Sequence, residues 1–228
     1  MDKYLKRLEA LVGKDALRLL KKKKVLICGV GGVGSFVAEA LARSGVGHLT
    51  LADYDVVEET NLNRQLLATK DTIGKIKVDV MKERIESISN CKVEVINTYI
   101  DDNFKLKKYD YVVDCIDSLK SKFSLVKKCH EKGIPVISSL GTAKRIKIEN
   151  IKRTTLDKTR NDSLARAFRN LVKKENYRKK IDVVYIDSPS LNCKELGSSI
   201  FTVGSAGLFI ADEVFKDLLK EVINGNQN

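Results

Sequence analysis

Paired cysteines are missing from this chain. Its five cysteines, Cys28, Cys91, Cys115, Cys129 and Cys193, never stand at Cys-x-x-Cys spacing, which excludes a four-thiolate cage for structural zinc. They follow no disulfide pattern either, so a reducing compartment is expected. Histidine is scarce, with His48 at a strand entry and His130 at a helix end; neither suits the proton donor that a nicotinamide dehydrogenase needs. No apolar run reaches the length of a membrane span, no signal peptide opens the chain, and no repeat or low-complexity tract interrupts it. The expected location is therefore cytoplasmic, with no membrane partner.

What remains is a basic chain of 228 residues, net charge +12 and 43% apolar content, enough for one domain with a sizeable core. Apolar strands alternate with helical patterns from residue 24 to about 140, the signature of an α/β fold with helices on both faces of a mostly parallel sheet. Four parts are expected within the single domain: N-terminal helices at 1–23, a nucleotide-binding core at 24–143, a small appended basic helix and strand region at 144–203, and a closing helix at 204–228. Lys21 to Lys24 form a short charge run at the solvated approach to the first strand.

Residues 25–28 read as a buried parallel strand, and Gly29-Val30-Gly31-Gly32-Val33-Gly34-Ser35 follows it into a helical pattern. A loop without side chains at 29, 31, 32 and 34 lets backbone turn tightly and approach a phosphate, which then faces the unpaired N–H groups of a helix start. Asp53 ends a second strand about 20 residues on, where an acid can accept from a ribose. A Rossmann-like dinucleotide enzyme would carry all of these. The residues after Asp53 point elsewhere: Asp55, then Asn61, Arg64 and Gln65, then Gly74-Lys75-Ile76-Lys77. Arg and Lys supply positive charge for a phosphoryl region, and Asn61 can orient an oxygen without adding charge. The strand at 111–113 runs into Asp114-Cys115-Ile116-Asp117, placing a carboxylate at the rim where open α/β sheets bind ligands. One carboxylate there suits a magnesium ion that keeps most of its waters and bridges phosphate oxygens.

In this order and spacing, Gly-x-Gly-Gly-x-Gly, the Asp-x-Asp strand end, Asn-x-x-Arg-Gln, Gly-x-x-Lys and Asp-x-x-Asp resemble the ThiF/MoeB/HesA superfamily of adenylating enzymes, related to ubiquitin-activating enzyme. The resemblance implies ATP as co-substrate, with Asp53 on the ribose, Asn61, Arg64 and Lys77 around the phosphates, and Asp117 on Mg2+. It also covers Arg7, in a segment where Tyr4 replaces a usual arginine. The family places that arginine on the ATP of the neighbouring subunit, which implies a homodimer with Arg7 acting in trans.

From 152 to 180 the chain has eleven Lys or Arg against three acids, Asp157, Asp162 and Glu175. Leu164, Phe168, Leu171 and Val172 make an apolar helical stripe within it, leaving Lys158, Arg160, Arg166, Arg169 and Lys173 as the candidate footprint of an RNA backbone. Residues 157–166, Arg169, 183–187, Gly197-Ser198 and 204–219 are similar to the tRNA threonylcarbamoyladenosine dehydratase branch, with Asp162-Ser163 where that branch usually has a residue and proline. The resemblance implies tRNA, held by its anticodon arm, as the partner, and adenylation of the threonylcarbamoyl carboxylate followed by cyclisation. A sulfur-relay protein is a further partner it admits. Two other readings remain open here: an adenylyltransferase for the C terminus of a ubiquitin-like sulfur carrier, which would use the same ATP residues, and a non-catalytic nucleotide or RNA module. Cys193, in an expected exposed loop, is the candidate reactive thiol.

Overall fold

Residues 25–28 carry no polar side chain, and a strand that is apolar on both faces must be covered on both. In the computed structural model, which describes residues 2–195 and 197–225, that strand, β1 (Lys24–Cys28), lies inside a seven-stranded sheet. The other strands are β2 (His48–Asp53), β3 (Lys92–Asn97), β4 (Tyr111–Asp114), β5 (Val136–Ser139), β6 (Ile151–Thr155) and β7 (Asp182–Ile186). Their spatial order is β3-β2-β1-β4-β5-β7-β6, with every pair parallel except β6 against β7. The order reverses between β1 and β4, which opens a crevice at the carboxyl ends of those two strands.

The helices are α1 (Lys6–Val12), α2 (Lys14–Leu20), α3 (Gly34–Arg43), α4 (Lys77–Ile88), α5 (Leu119–Glu131), α6 (Ser163–Lys174) and α7 (Ile200–Gly225). Alternate strand residues divide between two cores. Val25, Ile27, Leu49, Leu51 and Val113 pack with α2, α3, α4 and α7, whereas Leu26, Cys28 and Val112 pack with α5 and α6. The fold is thus doubly wound, with helices on both faces as expected. The region expected to be appended at 144–203 joins the core by sheet: β7 pairs with β5 in parallel and β6 closes the edge antiparallel. The closing helix begins earlier than expected, at Ile200, and its expected positions 226–228 lie outside the described residues. Among the described residues no helix is long and apolar enough to cross a membrane.

Glu39 joins two helices on the first face. Its carboxylate accepts from Arg43, one turn on in α3 (2.8 Å), and from Arg84 of α4. Burial alone would raise its pKa, but the two guanidiniums outweigh burial and hold it below the usual carboxylate range. A depressed folded pKa gives stability that is present above the unfolded value, about 4.3, and is lost as pH falls through the folded one. Glu39→Gln is expected to lower Tm at pH 7 by about 2–4 °C, equivalent to about 1 kcal/mol. The deficit should vanish in acid; an equal Tm deficit at pH 7 and in strong acid would contradict this account.

Candidate functional site

The glycine loop is shaped by contacts that no side chain could share. Gly29 has φ of 84°, and a Cβ there would lie 2.7 Å from the Cys115 carbonyl oxygen; one on Gly34 would lie 1.8 Å from the Gly29 oxygen. The first contact seats the loop against the end of β4, and the second presses the start of α3 onto the loop. No side chain caps α3; the Ser35 amide donates to the Gly31 carbonyl (3.1 Å), and Gly31, Gly32 and Val33 before it line the crevice, where backbone can approach an anion. Asp53, nearly buried, braces this geometry. Its Oδ2 accepts from the Val30 amide (2.7 Å) and its Oδ1 from the Asp55 amide (3.0 Å).

A single cavity of about 820 Å³ spans the carboxyl rim. Of the expected nucleotide residues, Gly29, Gly31, Gly32, Asp53, Asp55, Arg64, Gln65, Lys77 and Asp117 all line it. Lys77 is almost wholly buried and donates to Asp55 Oδ2 at 2.8 Å. Arg64 is held by the Thr60 carbonyl (2.8 Å) and Asn63 Oδ1 (2.9 Å). Gln65 is buried, and its Oε1 has no protein donor, an orphaned acceptor that a ligand hydroxyl or water would satisfy. Asp117 is exposed in the cavity, and its carboxylate forms no ion pair and accepts no hydrogen bond among the described residues.

Other expected residues stand elsewhere. Asn61 does not line the cavity. Its Oδ1 accepts from the Glu58 amide (3.1 Å) and its Nδ2 donates to Thr60 (3.3 Å), so both polar ends close the 3-10 turn Glu59–Asn61. Its effect on the site is to hold the loop that carries Arg64 and Gln65. Gly34 serves packing. Arg7 is exposed on α1, and the adjoining Leu5 is buried against Gly45 in the turn entering β2. That is the amino end of the sheet, whereas the cavity opens at the carboxyl end, roughly 17 Å away along a five-residue strand. Arg7 cannot serve the site of its own chain. Of the basic set, Lys158, Arg160, Arg166 and Lys173 are exposed, but Arg169 turns inward and donates to the Thr159 carbonyl (3.1 Å) and hydroxyl.

Several residues of the site escaped the sequence reading. Tyr54 and Tyr99 meet edge to face at 5.0 Å on the cavity wall. Beneath the wall, the fully buried Lys122 donates to Asp114 Oδ2 (2.8 Å) and to the Ser139 carbonyl (3.0 Å), and Ser138 donates to the same carboxylate (2.6 Å). Asp114 Oδ1 accepts from the Ile116 amide (3.1 Å), so this network joins the β4 end that leads to Asp117 with the β5 end. Lys122 precedes Leu125, Val126 and Cys129 by three, four and seven positions, and a cation on an apolar helical stripe was the signal. Buried Arg145 draws together Gly141 (3.0 Å), Asn161 (2.8 Å), Ser188 (3.3 Å) and Asp162 (3.4 Å). Asp162 also caps α6 through the Ala165 amide at 2.7 Å. Lys144, with φ of 57°, donates through its amide to Gly197 (2.7 Å) and through Nζ to Cys193 (2.6 Å), tying down the stretch that brings Ser190 and Ser198 to the cavity wall. Cys115 reaches the cavity, but burial pushes its thiol up to about 12, so it is no thiolate nucleophile near neutral pH. Cys193 lies exposed in that loop, as expected.

A doubly wound sheet whose glycine loop, bracing acid and opposed cations converge on one crevice at the switch point defines a nucleotide-binding α/β protein of the Rossmann-like class. The chain belongs to the ThiF family, whose model matches residues 4–227. It is 37% identical to the Bacillus subtilis tRNA threonylcarbamoyladenosine dehydratase, over 95% of this chain and 94% of that one. It superimposes on the Escherichia coli tRNA N6-threonylcarbamoyladenosine dehydratase, TcdA, solved in complex with ATP, with a TM-score of 0.92 at 31% identity, covering 97% of this chain and 96% of the other. Similarity to the Haemophilus influenzae molybdopterin-synthase adenylyltransferase, at 36% identity, covers 54% of this chain and 53% of that one.

Proposed function

We propose that this protein is an ATP-dependent tRNA threonylcarbamoyladenosine dehydratase. The observation that carries the reading is the single cavity. Its one end is the glycine loop, Asp53, Arg64 and Lys77, and its other end is Gly141, Lys144, Ser163, Leu164 and Ser190, drawn from the basic half of the chain. Nucleotide and substrate would therefore meet in one space. Whole-length similarity to dehydratases, against half-length similarity to a carrier-activating enzyme, favours tRNA over a carrier protein as substrate.

The cavity suits ATP. Asp53 keeps unused lone pairs for ribose hydroxyls, the backbone of Gly31, Gly32 and Val33 lines the approach to α3 where phosphates would lie, and the unpartnered Gln65 oxygen awaits a donor. Among the described residues no cluster of three or more His, Cys, Asp or Glu could hold a metal. Magnesium would thus be held by Asp117 together with phosphate oxygens and water, where it would supply charge neutralisation. The threonylcarbamoyl carboxylate attacks the α-phosphorus and pyrophosphate leaves. The carbamoyl group then attacks the resulting acyl-adenylate and expels AMP, so the nucleoside loses one water. No side-chain nucleophile is needed; Arg64 and Lys77 offset charge on the phosphates, and the Lys122 network fixes the Asp117 loop. The exposed Lys158, Arg160, Arg166 and Lys173 would hold the anticodon arm. Arg7 would complete the site of the other subunit in a homodimer, since it lies at the wrong end of its own sheet.

The test is pyrophosphate release with tRNA carrying the threonylcarbamoyl nucleoside, together with mass spectrometry of the digested product. A nucleoside lighter by one water is expected, with release falling to background on unmodified transcript. Equal release on both RNAs, or release driven by a ubiquitin-like carrier, would overturn the reading.

A further inference from the structure

The opposite edge of the sheet carries a second concentration of positive charge. Lys24 opens β1 and Lys92 opens β3, Lys107 and Lys108 precede β4, and Lys179 and Lys180 precede β7. Parallel pairing brings these strand starts to one edge. Lys24 and Lys92 both register against His48, and with Lys107 and Lys108 they line a groove of about 460 Å³ floored by Thr50 and Tyr109. The acid lining it, Glu94, is paired with Lys107 at 3.5 Å, and both side chains are largely exposed. Just outside, Asp110 accepts from the Lys24 amide (2.7 Å) and pairs with Lys23 (3.8 Å). The ammonium groups of Lys24, Lys92 and Lys108 have no ion-pair partner among the described residues. A concave wall with several unpaired ammoniums focuses a positive potential and recruits an anion.

The same edge of the sheet is reached from the cavity along α6. Helix α6 starts at Ser163 on the cavity wall, and the chain after its end at Lys174 leads to the start of β7 at the amino edge. Its twelve residues span roughly 18 Å, and exposed Arg166 and Lys173 mark the way. Cations spread along an edge, all lysines acting as point charges, match a phosphate backbone better than one compact anion, which arginine forks hold by paired bonds.

We propose that this amino-edge groove is a second binding surface for the RNA substrate, gripping backbone phosphates of a tRNA segment distant from the nucleoside being modified. The inference rests on the function proposed above and extends the RNA contact beyond the anticodon arm.

The decisive variant replaces Lys24, Lys92, Lys107 and Lys108 together with Ala. All four are exposed, so an unchanged Tm and unchanged ATP affinity are expected. KM for full-length modified tRNA should rise about tenfold or more, with kcat preserved. The slope of log Kd against log salt should become shallower by about 3, as each lost phosphate contact removes one released counterion. Turnover of an isolated anticodon stem-loop bearing the same nucleoside should not change. An unaltered KM and salt slope with full-length tRNA would overturn the inference while leaving the proposed function standing. So would an equal loss on stem-loop and tRNA, which would place the groove's effect at the site itself. Wild-type protein that turns over neither RNA would remove both readings.

Discussion

Arg7→Ala protein is expected to bind ATP with weakened affinity and to lose turnover by roughly 10²–10³-fold, the usual cost of removing one charge-stabilising donor from a transition state. Within one chain the expected role of Arg7 and its observed position conflict. The family resemblance puts this arginine on ATP, yet α1 packs at the amino end of the sheet while Asp53, Lys77 and Asp117 line a cavity at the carboxyl end. A second copy of the chain, placing Arg7 at its partner's cavity, would resolve the conflict. Asp117→Ala should be similarly inactive for a different reason, the loss of the unpaired carboxylate that would hold magnesium. When the two inactive proteins are mixed and allowed to exchange subunits, half the dimers carry one site with neither lesion. About a quarter of wild-type turnover should return. Steady-state pyrophosphate release from the mixture measures it, and no recovery in demonstrated mixed dimers would rule out a shared site.

Lys122→Met should be the most destabilising single substitution beneath the site. It leaves the Asp114 carboxylate buried without its ammonium, supported only by Ser138 and the Ile116 amide. Breaking a buried pair in this way costs about 3–5 kcal/mol, a large part of the 5–15 kcal/mol that holds an ordinary domain together. The urea midpoint should fall accordingly. Adding Asp114→Asn should recover a good part of the loss, because the stranded charge is then gone; the carboxamide oxygen can accept from the Ile116 amide while its NH2 donates to the Ser138 hydroxyl. A loss under about 1 kcal/mol in the single variant would mean that water reaches the pair.

The inner strands were legible because each is a short apolar run that can be buried only by helices on both sides, and the glycine loop because its spacing serves one purpose. The joining of β7 to β5 was not legible. Forty-odd residues separate them, and sheet register between such distant segments depends on packing that no local pattern encodes. At the site, motif order identified Asp53, Arg64, Lys77 and Asp117 as cavity-lining residues, but could not separate a side chain that faces the cavity from one that builds its wall. Asn61 is the clear instance: its amide group is consumed by the turn beside it. Arg169 is another, since the helical stripe left it among outward cations while Thr159 lay within reach of its guanidinium. Lys122 was missed because a lysine in a helix is ordinarily read as solvated, although its place on the Leu125, Val126 and Cys129 stripe required burial.

The two oxygens of Asp53 hold the Val30 and Asp55 amides in place without any help from a nucleotide, and Gly34 locks the helix start onto the same loop. Little ordering entropy should then remain to be lost when ATP arrives. Calorimetry should accordingly register recognition of the adenosine half as a docking event between rigid shapes. Adaptation would be left to the other end of the same cavity, around Gly141, Ser163 and Ser190, where the macromolecular substrate would enter.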